Sequence, residues 1–353
     1  MLNSCWDSMR YWRESMGARP GVKGIFVLLL GIMFVHLGCD ERPEYIPTVA
    51  RSASGKEEYV CHLEKTGDIF FSTISECRKA SKLRLRLKGM GKCMAVTNDE
   101  SVLALAIIPM GGPNPYGRFY LSRPHEIIFI DIGTFQERHR WKVEPPGMPK
   151  TDPDDADRVI QRFDDMAFSH NGKVLATYYW KPISNGGDQP TVTLWDVKSG
   201  KYIREFAVCD IDLFIKTPQP AGTDSCSMTF SPDGRLIALS GAWYTKHPIS
   251  PQSGGFIQIW QIEDGEEKHF STGSHGFLWN LCFDGTGSRL ACWTWSKGSK
   301  GTSKADILVW NVPEGNLLLS KQVAGRVLGI VWDVKAEAFA VRLEDQTVQF
   351  IKP

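Results

Sequence analysis

Apolar residues in this chain fall into short runs that repeat. Five times a strand-like run ends in a large anchor residue, a tight polar turn follows, and a second run places alanine eight residues beyond the anchor. The anchors are Val96, Phe168, Phe230, Phe283 and Trp332; the alanines are Ala104, Ala176, Ala238, Ala291 and Ala340. Each pair leads into a third run: IIFIDI at 127–132, VTLWDV at 192–197, IQIWQI at 257–262, ILVWNV at 307–312 and VQFI at 348–351. In such a repeat each unit buries its apolar face on its neighbours, which predicts a stacked, repeating all-β architecture.

Each unit supplies strands a to d, with a innermost. MAF at 166–168, MTF at 228–230 and LCF at 281–283 read as strand a. The turns SHNG, SPDG and DGTGS follow, with glycine available where φ must be positive. Strand c carries Trp195, Trp260 and Trp310. KYIREF at 201–206, EKHFST at 267–272 and NLLLSK at 316–321 are more polar and suit an outer strand wetted on one edge.

FSPDGRLIALSG at 230–241 and VTLWDVKSGK at 192–201 resemble the signatures of the WD40-repeat family of β-propellers, over about 82–353. The resemblance implies a propeller of about five four-stranded blades and a platform for protein interaction. It is a degenerate one. The family joins a His, a strand-b Ser or Thr, a turn Asp and the strand-c Trp in a hydrogen-bonded tetrad, and no repeat here supplies all four. His275 approximates the first position in one blade; in the last, Asp345 fits the third, with Leu343 and Ile351 at the Ser and Trp positions. KLRLRL at 82–87 precedes the first strand a, and its Leu/Arg alternation suits a strand with one packed face. The sequence stops at Pro353, just after the last strand c, so 82–87 is expected to pair with 347–351 and close the last blade.

The N-terminal region has a different pattern. Arg10, Arg13, Arg19 and Lys23 precede an apolar run at 24–38, shorter than the roughly 20 residues that span a bilayer but suited to a signal sequence. Leu37-Gly38-Cys39 resembles a bacterial lipobox, with His36 departing from the apolar residue the pattern wants. The expected organisation is a signal, lipidation or anchor segment at 1–39 with Cys39 lipidated, a tether at 40–57, an N-terminal extension at 58–81 and the propeller at 82–353. An uncleaved anchor is the alternative for the first segment. Asp40 resembles an inner-membrane retention signal, so the domain is expected on the periplasmic side of the membrane. Lys+Arg and Asp+Glu nearly balance, at 41 and 40, which gives no electrostatic footprint for nucleic acid. Cys282 and Cys292 fall on core strands and read as small buried hydrophobes. Cys209 and Cys226 flank one loop, either bridged or as two free thiols.

The a–b turns are short, whereas the extra length lies in the b–c and d–a connections, at about 106–126, 180–191, 242–256, 295–305, 144–164 and 209–227. Those connections leave the same end of a propeller. They carry Tyr116, Tyr120, Trp180, Trp243, Tyr244 and Trp295, residue types that bury large area at low entropic cost when they bind. These six are the candidate binding residues for a protein or peptide partner, and packing at the blade ends is their alternative role. TDPDDAD at 151–157 offers oxygen ligands but lacks the spacing of a calcium loop, and no HExxH, paired CxxC or phosphate-binding glycine loop occurs. No cofactor, metal or catalytic residue is therefore expected. The leading expectation is a lipid-anchored, extracytoplasmic binding scaffold. A lactonase- or quinoprotein-like propeller enzyme and a structural envelope-assembly component stand as alternatives.

Overall fold

A computed structural model describes residues 48–51, 58–63, 68–73, 85–88, 90–108, 110–113, 119–121, 125–134, 136–143, 163–182, 188–208, 220–245, 253–271, 278–296, 304–345 and 347–352. Five four-stranded antiparallel sheets and a sixth of three strands follow one another along the chain. The first joins β1 (Thr48–Arg51), β2 (Glu58–Leu63), β3 (Asp68–Thr73) and β4 (Leu85–Lys88). The second joins β5 (Met90–Val96), β6 (Val102–Ile108), β9 (His125–Asp131) and β10 (Glu137–Val143), with a two-stranded ribbon, β7 (Met110–Pro113) and β8 (Phe119–Leu121), between β6 and β9. The third runs β11 (Phe163–Phe168), β12 (Val174–Pro182), β13 (Asp188–Asp196), β14 (Tyr202–Ala207). The fourth runs β15 (Pro220–Phe230), β16 (Leu236–Thr245), β17 (Ser253–Gln261), β18 (Glu267–Ser271). The fifth runs β19 (Leu278–Phe283), β20 (Arg289–Ser296), β21 (Lys304–Asn311), β22 (Leu317–Ala324). The sixth is β23 (Val327–Asp333), β24 (Ala338–Leu343) and β25 (Val348–Ile351). The inner strands lie side by side in the order β1, β5, β11, β15, β19, β23. This is the all-β propeller that the repeat predicts.

One part of that expectation is corrected. The segment 82–87 does not close the last blade: Leu85 pairs with Phe71 and Lys88 with Asp68, so β4 is the outer strand of the first sheet. The stretch expected as an extension supplies β2 and β3, and β1 takes Thr48–Arg51 from the stretch expected as tether. The physical reason is locality. DIFFST at 68–73 is the run next before β4 in the chain, and pairing with a near neighbour in sequence closes at lower entropic cost than pairing across the whole chain.

The repeat residues sit where neighbouring sheets meet. Ala104, Ala176, Ala238 and Ala291 are fully buried and keep strand b low enough for the next sheet to approach. Trp195 packs in the cluster shared by the second and third sheets, Trp260 in that of the third and fourth, and Trp310 in that of the fourth and fifth. Trp260 also stacks on Phe206 of the preceding sheet, with centroids 5.4 Å apart. Trp195 Nε1 donates to Thr177 Oγ1 at 2.9 Å, so its one polar atom is satisfied inside the core. Cys292 is fully buried, and burial pushes the Cys282 thiol up to about 12, so both behave as packing residues.

The a–b turns share a small hydrogen-bonded frame. Ser231 Oγ donates to Asp233 Oδ1 at 2.6 Å and accepts from Leu236 N at 2.9 Å. Ser169 with Asn171 and Thr97 with Asp99 repeat it. The c–d turns serve packing as well. Gly315, at φ +73°, lies against the Phe270 ring so closely that a Cβ there would sit 2.6 Å from a ring carbon. Gly200 does the same to Trp141, at 3.1 Å. Each turn glycine therefore seats the outer-strand aromatic of the preceding sheet.

Candidate binding face

The two ends of the sheets differ. At one end every described a–b and c–d turn is tight. At the other, three hairpins continue past the blade core. β12 and β13 pair as far as Pro182 with Asp188, β16 and β17 as far as Tyr244 with Ser253, and β20 and β21 as far as Ser296 with Lys304. Much of the length expected as b–c loop is thus regular strand, because cross-strand bonding carries on once the register is set.

Those extensions carry most of the sequence candidates. Trp180 pairs with Pro190, Trp243 with Gly254, Tyr244 with Ser253 and Trp295 with Ala305. The backbone brings these four to the same end of three successive sheets. Tyr120 lies on β8 of the ribbon that leaves the second sheet between β6 and β9. Tyr116, the acidic stretch 151–157, Cys39 and His275 lie outside the described residues.

One aromatic escaped the sequence reading. Trp279, second residue of β19, lies at this end of the inner strands and is 37% exposed, whereas its cross-strand partner Trp293 is buried. The two indoles stack with centroids 6.1 Å apart and an interplanar angle of 24°. Trp279 is presented by an irregularity. The register of β19 against β20 slips between Trp279 and Cys282, and Asn280 takes φ +54°. Comparable slips occur in β5 (Gly91/Cys93), β11 (Phe163/Asp165), β15 (Ser225/Ser227) and β23 (Val327/Gly329), five residues before each anchor. Such bulges re-aim side chains at barrel and propeller rims. In β19 the slip begins one residue later, at Trp279, four residues ahead of Phe283, and a bulge has no residue signature of its own.

Polar groups at this end are held by neighbours. Lys304 Nζ donates to Gln322 Oε1 at 2.9 Å, and Gln322 Nε2 donates to Asp306 Oδ1 at 3.3 Å. Arg326 and Glu344 approach to 3.8 Å. The carboxylate with the largest shift lies at the opposite end. There Arg138, with help from Thr134, holds the Asp131 carboxyl down to about 2. The Ser199 hydroxyl likewise lowers Asp196. These are turn-stabilising contacts. Among the described residues no group of His, Cys, Asp and Glu is arranged to hold a metal ion, and no helix is long and apolar enough to cross a membrane.

No protein-family model matches the chain, and no curated protein matches it. Among solved structures, TolB from Acinetobacter baumannii is similar with a TM-score of 0.41 and 14% identity, over 79% of this chain and 54% of that one. This chain thus spans about half the length of that TolB. The Dos1 propeller is similar with a TM-score of 0.47 and 10% identity, over 86% of this chain and 77% of that one.

Proposed function

We propose that this chain is an extracytoplasmic, lipid-anchored propeller that captures a protein or peptide on the end where its hairpins are extended. The observation that supports this best is the one-sided arrangement of aromatics. Trp180, Trp243, Tyr244 and Trp295 share that end, and Trp279 lies there half-exposed on its Trp293 platform. Exposed tryptophan backed by a second ring is a pre-organised, low-entropy contact of the kind that dominates interface energetics.

The anchor in this reading is the Cys39 thioether, with Asp40 directing retention at the inner membrane and the propeller on its periplasmic side. The degenerate WD40 resemblance supports an interaction role rather than catalysis. The test is photo-crosslinking in intact cells from probes placed at Tyr120, Tyr244 and Trp295, with matched probes in the a–b turns at Asn98 and Asp233. A discrete partner crosslinked only from the first set supports the proposal. Equal crosslinking from both ends, or none from the first, refutes it. Mass spectrometry of the mature protein checks the anchor separately: a chain retaining 1–38 with unmodified Cys39 contradicts lipidation.

A further inference from the structure

The first sheet has two unlike faces. In its register Tyr59, Cys61, Ile69, Phe71, Leu85 and Leu87 share one face. Arg51, Glu58, His62, Asp68, Arg86 and Lys88 fall on the other, with Val49, Val60 and Phe70 between them. The second sheet decides which of the two it takes. On its side away from the third sheet, Met94, Leu103, Leu105, Ile107, Ile128 and Ile130 are at most 6% exposed, and β1 lies beside β5. Charged groups set on a buried apolar surface lose hydration without compensation, so the apolar face is the one that covers the second sheet. The charged face is left to the other neighbour in the ring, the sixth sheet.

The sixth sheet meets it with a face unlike its counterparts. Ala340 is 8% exposed there, whereas Ala104, Ala176, Ala238 and Ala291 are at 0%. Two residues further along strand b stands Arg342, where the other sheets place Ala106, Tyr178, Ser240 and Trp293. On strand c of the same face Val348 and Phe350 are 49% and 50% exposed, whereas Ile257, Ile259, Ile307 and Val309 in those positions are at most 2%. Exposure therefore rises from strand b to strand c. The joints from the second sheet to the sixth are clusters of buried apolar side chains. The joint between the sixth sheet and the first sets a face bearing Arg342 against a charged one.

We infer that this seam is the opening joint of the ring: the sixth and first sheets separate there as bodies while the apolar joints stay packed. Exposing apolar area is what makes parting two sheets costly, and regions with little buried apolar contact are where proteins open below global unfolding. Parting this seam hydrates the charged face of the first sheet. The apolar side chains it uncovers on the sixth are led by Val348 and Phe350, which are already half-exposed. Hydrogen-bonded ladders run within sheets, so none is broken.

Thiol labelling of the full chain in detergent tests this, with Ala340→Cys compared with Ala238→Cys and Ala291→Cys and each site read by peptide mass spectrometry. A bulky maleimide in native buffer should reach the thiol at 340 about tenfold faster than the other two, or more. Its rate should rise with denaturant on a smaller slope than global unfolding. The amides of Gln349 and Ile351, which the ladder between β24 and β25 uses, should stay protected from hydrogen exchange over the same period. Labelling as slow at 340 as at 238 and 291 overturns the inference. So does a rate flat in denaturant, because access is then static, and so does a rate with the global slope. Exchange of those two amides at the labelling rate also overturns it, because β25 then peels from its own sheet while the sheets stay together.

Discussion

Asn280 bridges two sheets: its Oδ1 accepts a hydrogen bond from the backbone N–H of Ile330, 2.6 Å away on the next inner strand. Ser227 does the same one sheet earlier, its Oγ accepting from Leu281 N at 3.1 Å. Both acceptors stand three residues before their anchors, and both donors two before theirs. The bulges in β15 and β19 therefore latch neighbouring blades together as well as shaping the inner rim. Asn280 also sits at φ +54°, where asparagine is among the better-tolerated non-glycine residues.

Asn280→Ala should cost about 1–3 kcal/mol, because Ile330 N–H loses its acceptor in a partly buried setting and alanine tolerates positive φ poorly. Asn280→Gly relieves the backbone term only and should fall between alanine and wild type. Denaturant melts of the two variants check the order. Equal stabilities for wild type and Asn280→Ala would show that the latch contributes nothing.

Gly315 and Gly234 separate packing from backbone strain. Both have positive φ, at +73° and +71°, but a Cβ at Gly315 meets Phe270 at 2.6 Å while one at Gly234 meets nothing within 4 Å. Gly234→Ala should carry only the left-handed penalty, about 1 kcal/mol. Gly315→Ala should lose a further 1–3 kcal/mol or so from overpacking. Adding Phe270→Leu should recover part of the extra loss. The check is the double-mutant cycle in thermal melts.

Acid should loosen the tight-turn end first. Asp99, Asp131 and Asp196, all in turns of that end, have carboxyls held below their usual 3.8, by Thr97, Arg138 and Ser199 respectively. A carboxyl lowered in the folded state contributes stability that is complete above its unfolded value and disappears as pH falls through the folded value. For Asp131 that window runs from 3.8 down to about 2. Asp131→Asn should flatten this part of the stability–pH curve and leave the curve near neutrality parallel to wild type. Chemical denaturation at stepped pH measures it.

Truncations test the revised N-terminal boundary. Removing 1–47 spares every described strand, whereas removing 1–57 deletes β1, which lies beside β5. The shorter truncation should fold cooperatively and the longer should aggregate or melt early. Calorimetry of both decides, and equal stability would mean that the first sheet does not rest on β1.

Much of this architecture could be read from residues because the repeat is local. An anchor, a turn with a Ser, Thr or Asp frame and a buried alanine all lie within ten residues, and each has a stereochemical reason for its type. Trp195, Trp260 and Trp310 likewise announced their burial between sheets. The first sheet was not legible, since 48–88 lacks the anchor–alanine spacing. Its β4 showed by Leu/Arg alternation that it has one packed face, but alternation does not say whose edge it joins, and proximity favoured β3. At the candidate face, the shared end of Trp180, Trp243, Tyr244 and Trp295 followed from connection lengths. Trp279 did not, because its exposure depends on a register slip that residue type does not encode.

In the proposed function, aromatics at one end of the propeller hold a partner while those between sheets hold the fold. Trp195, Trp260 and Trp310 are at most 4% exposed, so each →Ala change should cost roughly 3–5 kcal/mol. Trp180, Trp279 and Trp295 replaced in the same way should lower stability far less, and each hot-spot loss should weaken partner capture by about 2 kcal/mol or more. The most direct measurement pairs thermal melts with crosslinked capture from cells for these six variants. Early melting is expected in the first three and lost capture at near-normal Tm in the second three. Early melting in the second three, with capture by the surviving folded protein unchanged, would make those tryptophans packing residues and contradict it.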